Sequence, residues 1–168
     1  MLLQTGRCLI RHFVPEDADA LHALLADPEV MRYMEPVYNR AQTEAFLREA
    51  GLCQPPLVYA LVWRASGALI GQVIFHPYEG NAYEIGWLLH PAFWGNGIAT
   101  EVTRALTAFA TVLGADSCIL ECDPRQEATK RIARKCGFVP EGIRDGLCLF
   151  RWKPAADGNG TLPQRVSD

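Results

Sequence analysis

Three groups of residues have the types and spacing to carry chemistry. The first is Gly95-Asn96-Gly97, which stands before a run where Ile98, Val102, Leu106, Phe109 and Val112 recur three or four apart. That spacing predicts a helix over Gly97–Leu113. Glycines at its mouth would let a ligand approach bare backbone. First-turn N–H groups lack intrahelical acceptors and the helix dipole adds positive potential, so the place suits phosphate or pyrophosphate. A tight strand-to-helix turn with no ligand fits the same residues. The second is Glu84, a lone carboxylate in the apolar run Tyr83–Leu89. Burial there would raise its pKa toward the value a general base needs. A structural carboxylate, taking backbone N–H bonds or an arginine, is the other reading. The third is Cys122, at the end of an apolar run. It invites an acyl-cysteine mechanism, which is disfavoured because no histidine lies near it in sequence. His12, His22, His76 and His90 form no recognisable set.

Other phosphate signatures fit poorly. A dinucleotide fingerprint wants a third glycine or an alanine where Thr100 stands, and His90-Pro91-Ala92-Phe93-Trp94 separates the strand from the first glycine. No Gly-Lys-Ser/Thr loop occurs.

The elements that must position these groups read as follows. Arg7–Phe13 is a first strand, and Pro15-Glu16-Asp17 starts a helix with Ala18, Leu21, Leu24 and Leu25 on its apolar face. Glu29–Met34 is a short helical turn, and Thr43–Glu49 is a second helix closed by Gly51. Strands follow at Leu57–Arg64, Ala68–His76 and Tyr83–Leu89, turned by Ser66-Gly67 and Glu79-Gly80-Asn81. After the glycine-mouthed helix come strand Ser117–Cys122, helix Arg125–Lys135, a strand from Phe138 and a last strand Leu147–Trp152 entered through Asp145-Gly146. Strand–helix–strand across the glycine-mouthed helix predicts one parallel pair. The sum is one α/β domain over 1–153, with a polar tail over 154–168 that has no role in a site.

With 168 residues the chain can bury a proper core. A net charge of −3 without a basic stripe argues against nucleic acid and is compatible with a cationic acceptor. No window of about 20 apolar residues predicts a membrane span, and MLLQTGR lacks the apolar core of a secretory signal. The six cysteines have no Cys-x-x-Cys or zinc spacing, so they read as reduced thiols of a cytoplasmic protein with no metal.

The stretch EIGWLLHPAFWGNGIATE resembles the acyl-CoA-binding motif of the GNAT superfamily of N-acetyltransferases, usually written Gln/Arg-x-x-Gly-x-Gly/Ala. Gly97 and Ala99 match its last two positions. Trp94 replaces the first, a departure common in the Rim-type branch of ribosomal-protein N-terminal acetyltransferases and their relatives. TGRCLIRHFVPEDADALHALLADPEVMRYM resembles that branch's opening, and DPRQEATKRIARKCGFVPEG its closing helix and strand. The resemblance implies the GNAT fold: a mixed, mostly antiparallel sheet flanked by helices, with one splayed parallel pair holding acyl-CoA in a V-shaped opening. It implies direct transfer of acetyl from acetyl-CoA to a primary amine in a ternary complex. The acceptor would be a protein N-terminus, an amino acid, a small amine or an antibiotic. A non-catalytic acyl-CoA sensor on the same fold is the alternative, and a homodimer through a sheet edge is compatible with either.

The resemblance also implies roles. Glu84 is the base, through water. The backbone of Ile85, Gly86, Trp87 and Leu88 binds the pantetheine arm, and that of Asn96, Gly97, Ile98, Ala99 and Thr100 the pyrophosphate. Gly95 shapes the loop, and Trp94 covers the cofactor or packs. The family's Asn-x-x-Ser/Ala at the last long helix becomes Gln126 and Thr129, so the pantetheine bond passes to a longer amide. The usual tyrosine acid is Ala133 here, which leaves Thr129 or water to protonate the thiolate. Tyr33, Glu35 and Tyr38, with the hairpin at Arg144-Asp145-Gly146, wall the acceptor pocket.

Overall fold

In the computed structural model, which describes residues 3–155, most of the apolar runs bounded by turn residues become strands. They are β1 (Leu3–Gln4), β2 (Cys8–Arg11), β3 (Val58–Trp63), β4 (Leu69–Pro77), β5 (Ala82–Leu89), β6 (Ser117–Cys122), β7 (Val139–Arg144) and β8 (Leu147–Trp152). All belong to one sheet in the order β1-β2-β3-β4-β5-β6-β8-β7. Every neighbouring pair is antiparallel except β5–β6, which is parallel. The expected first strand is therefore a small hairpin of two strands, and its continuation to Phe13 is not strand.

Helices α1 (Ala18–Leu25), α2 (Pro28–Met31) and α3 (Arg40–Phe46) cover one face of the sheet. Leu21, Leu24, Leu25, Met31 and Leu47 pack there against Val58, Ala60, Val62 and Leu88. Helices α4 (Ile98–Val112) and α5 (Glu127–Lys135) cover the other. There Val102, Leu106 and Ala110 meet Val73, Ile85, Leu120 and Phe150. Each fully buried Val, Leu, Ile, Phe or Met side chain contributes about 1.5–3 kcal/mol.

Side chains set where the helices begin. Asp17 accepts Val14 N–H at 2.9 Å and both terminal nitrogens of Arg11 at 2.7 and 2.8 Å, which ties the entry to α1 onto β2. Asn39 and Gln42 cap one another's backbone N–H, so α3 starts at Arg40 rather than Thr43. It then widens into a π turn over Leu47–Gly51. The expected tail over 154–168 falls, beyond residue 155, outside the described residues.

What positions the site is an unequal pairing of β5. On one side it pairs with β4 from Tyr83 opposite Pro77 to Leu89 opposite Gly71. On the other it pairs with β6 only at Ala82, Tyr83 and Glu84, opposite Ser117, Cys118 and Ile119. Strand β6 continues its pairing with β8 instead, from Cys118 opposite Trp152 to Cys122 opposite Cys148. The two parallel strands thus part after Glu84, and the outward backbone groups of Ile85–Leu89 have no strand partner in β6.

Gly71 lets β4 come close where β5 ends. A Cβ there would lie 2.1 Å from the Leu88 carbonyl oxygen. Gly71→Ala is expected to cost about 3 kcal/mol or more, because backbone rather than a flexible side chain must move. The check is the midpoint of denaturant unfolding, with a wild-type midpoint counting against this close approach.

Candidate active site

The gap between β5 and β6 opens into a cavity of about 710 Å³. Its walls are Trp87, Leu88 and Leu89 of β5, residues 93–95 and 97–100 at the mouth of α4, and the outer face of α5 from Gln126 to Lys135. Residues 29, 30 and 32–34 form its rim. Arg32, Arg125, Arg131 and Lys135 stand around it against two acids, Glu29 and Glu127.

Gly97 caps α4 in the left-handed conformation, at φ 75°, where glycine carries no Cβ penalty. The first helical bond runs from Glu101 N–H to the Gly97 carbonyl at 3.0 Å. The N–H groups of Ile98, Ala99 and Thr100 therefore have no acceptor within the helix and face outward from its positive end. Arg7 fixes this mouth from the β1–β2 turn. Its backbone N–H donates to Glu101 Oε1 at 2.8 Å, its Nε to Oε2 at 2.7 Å and its Nη1 to the Asn96 carbonyl at 2.7 Å. Burial alone would raise the Glu101 carboxyl. The bonds from Thr5 and Arg7 and the guanidinium charge overcome it and hold the group below its ordinary range. Trp94 donates Nε1–H to the Leu89 carbonyl at 2.8 Å, so the indole bridges loop and strand while remaining 45% exposed.

On α5, Thr129 stands half-buried in the cavity wall. Gln126 spends its carbonyl locally: Oε1 accepts Asp123 N–H at 3.0 Å, which leaves the amide N–H group to face a ligand. Ile85 is buried in the core, Gly86 lies against Ile74, and Asn96 offers its carbonyl to Arg7, so none of the three lines the cavity.

Glu84 is the last β5 residue paired with β6 and marks the apex of the gap. Alternation puts it with Gly86 and Leu88 on the face opposite α4 and α5, outside the wall of the large cavity. Its carboxylate is 23% exposed, and Oε2 lies 3.3 Å from His76 Nε2 on β4. Burial raises its pKa, the His76 charge opposes that, and Glu121 on β6 adds to it.

Of the residues read as walls for an acceptor, Tyr33 lines both the large cavity and a neighbouring one of about 410 Å³, and Glu35 lines only the smaller. Tyr38 lines neither. It donates to Glu35 Oε2 at 2.6 Å and packs edge-on against Phe46. That bond, with burial, pushes its hydroxyl up to about 12. The Arg125 guanidinium lies 5.3 Å over the Tyr33 ring and pairs with Asp123, so it joins the two cavities' rims.

Single-residue reading missed Arg7, Glu101, Arg125 and His76. For His76 a signal existed, since it and Glu84 are equidistant in sequence from Gly80, the middle of the hairpin turn. Among the described residues, no cluster of three His, Cys, Asp or Glu side chains could hold a metal. No helix there is long and apolar enough to cross a membrane.

Residues 7–139 match the acetyltransferase (GNAT) domain family. The chain is 29% identical over 146 residues to the uncharacterized N-acetyltransferase YnaD of Bacillus subtilis, with 85% of each chain covered. A GNAT-family acetyltransferase from Bacillus anthracis superposes at a TM-score of 0.82 and 25% identity, covering 91% of this chain and 98% of its own. RimL, a ribosomal L7/L12 alpha-N-protein acetyltransferase solved with coenzyme A, shares the fold at a TM-score of 0.78 and 19% identity, covering 94% and 100%.

Cys122 is 4% exposed, and burial, with Cys148 beside it, pushes its thiol up to about 11. Burial takes Cys118 up to about 12. A thiol, not a thiolate, is a poor nucleophile. In native protein at pH 7.5, Cys8, Cys118 and Cys122 should stay unlabelled by a disulfide reagent while half-buried Cys53 and Cys148 react first. Peptide mass mapping checks this, and rapid labelling at Cys122 would revive an acyl-cysteine route.

Proposed function

We propose that this chain, which belongs to the GNAT acetyltransferase family, moves an acetyl group from acetyl-CoA directly to a primary amine, with donor and acceptor bound together. The observation that carries this reading is the opening after Glu84, where unpaired β5 backbone, the glycine-mouthed end of α4 and the face of α5 converge on one cavity. Those groups fit acyl-CoA. The N–H groups of Ile98, Ala99 and Thr100, with Arg131 and Lys135 on the rim, suit its phosphates. The β5 backbone left unpaired after Glu84, above all at Trp87 and Leu88 where it lines the cavity, suits peptide-like pairing with the pantetheine arm, assisted by the Gln126 amide. Coenzyme A supplies a thioester-activated acetyl group. The chain's part is to align an amine with it and to manage protons, and alignment alone is worth several kcal/mol.

Glu84 accepts the ammonium proton, directly or through water, since only the neutral amine attacks. Burial disfavours its charged form and so strengthens it as a base. The Thr129 hydroxyl lies on the donor side and serves the departing thiol. The segment with Tyr33, Glu35 and Tyr38 borders the acceptor. The Trp94 substitution in the glycine motif points to the Rim-type branch, so protein N-termini lead the acceptor candidates. Free thiols and this donor suit a cytoplasmic setting.

Thiol release from acetyl-CoA, measured against N-terminal peptides, amino acids, polyamines and aminoglycosides, tests the reading and should find an acceptor that is turned over. With it, Glu84→Gln should lower kcat/KM by about 10²-fold or more, with CoA affinity within about threefold of wild type. Thr129→Ala should cost roughly tenfold. Absence of CoA binding, or full activity in Glu84→Gln, would sink the assignment.

A further inference from the structure

His76 stands directly opposite Glu84 in the β4–β5 ladder, with Nε2 3.3 Å from the carboxylate. Its other ring nitrogen, Nδ1, lies 3.0 Å from the Pro77 carbonyl oxygen. A carbonyl only accepts, so Nδ1 carries a hydrogen. In the neutral ring Nε2 then presents a lone pair, and a lone pair facing a carboxylate repels it. The contact bonds only when one proton sits in it, on Nε2 or on the carboxyl oxygen. Two titratable groups that share a proton this way behave as one site.

We propose that His76 is the positioning residue of the base. It aims Glu84 Oε2 and joins it in a one-proton site, and the emptied form of that site takes the proton from the acceptor ammonium. This rests on the reading of Glu84 as base. The protons balance. R–NH3⁺ gives one hydrogen ion to the Oε2–Nε2 contact and keeps the electron pair for attack. The second hydrogen that nitrogen loses on becoming an amide leaves on the thiol. The proton held between His76 and Glu84 passes to water after each turnover, which the partial exposure of both side chains, 23% each, allows.

The surroundings favour holding a proton there. Glu121 on β6 shares the face of Glu84 and accepts the Tyr78 hydroxyl at 2.8 Å. The Tyr78 oxygen accepts Arg144 Nη2 of β7 at 2.7 Å, and Arg144 pairs with Glu79 at 3.0 Å. On the β3 side that face carries Val58, which is uncharged. A plain staple of the hairpin would need only an ion pair. It would show as lost stability, with the pH dependence of catalysis unmoved.

The test is the pH profile of kcat/KM for wild type, His76→Gln and Glu84→Gln on one acceptor, with CoA affinity measured alongside. Glutamine at 76 still donates to Glu84 but cannot titrate. The ascending limb should move to lower pH and the plateau fall roughly tenfold, as befits a weaker base, with CoA affinity kept. A His76→Gln profile parallel to wild type, beside an inactive Glu84→Gln, overturns the proposal alone. Wild-type turnover in Glu84→Gln overturns the base and this proposal together. Should His76→Gln fail to fold, ¹⁵N NMR of the wild-type imidazole decides. The neutral ring should carry its hydrogen on Nδ1, whereas a neutral ring with hydrogen on Nε2 would bond the carboxylate without a shared proton and end the proposal.

Discussion

The ladder between β5 and β6 stops after Glu84, and most of what is distinctive in this molecule follows from that. Strand β5 is committed to β4 along its length, through an approach at Gly71 that leaves no room for a side chain. Strand β6 is committed to β8. Neither can follow the other, so the sheet opens in its middle rather than at an edge. Backbone donors and acceptors at such a place must find water or a ligand. A break that would weaken an ordinary sheet thereby leaves backbone groups open to a ligand.

The two faces of the sheet then divide the electrostatic work. On the side of α4 and α5 the helix mouth and the cations of the cavity rim create a place for negative charge. On the other side Glu84 and Glu121 lie on adjoining strands, with Arg144 reached through Tyr78. The gap is where these environments meet. Arg7 matters to this arrangement without touching the cavity, because it holds the Asn96 carbonyl and Glu101 together and so shapes the loop that carries Gly97.

Much of this was legible in the residues, for definable reasons. Strands β3 to β6 and β8 are apolar runs bounded by turn residues, and their limits fall within a residue or so of expectation. Gly97 was legible because a backbone with positive φ at a helix mouth favours glycine, and Glu84 because a carboxylate is conspicuous in an apolar strand. Other features have no local signature. A two-residue strand such as β1 shows no periodicity. The insertion of β8 between β6 and β7 is a choice among pairings that hydrophobic pattern leaves equal. The Arg7–Glu101 pair spans 94 positions. His76 was hidden by reading strands singly, although the hairpin's own turn brings it opposite Glu84.

The position of β8 bears on how the chain is made. Among the described residues it follows every other element in sequence, yet it lies inside the sheet, covers β6 and carries the fully buried Phe150. During synthesis the earlier elements can emerge and associate, but the flank of β6 stays unzipped until Leu147–Trp152 leaves the ribosome. Closure of the core on the β6 side therefore waits for β8. A nascent chain paused before residue 147 would present a bare apolar strand edge, the kind of surface that holdase chaperones recognise and that invites mispairing between neighbouring chains on a polysome.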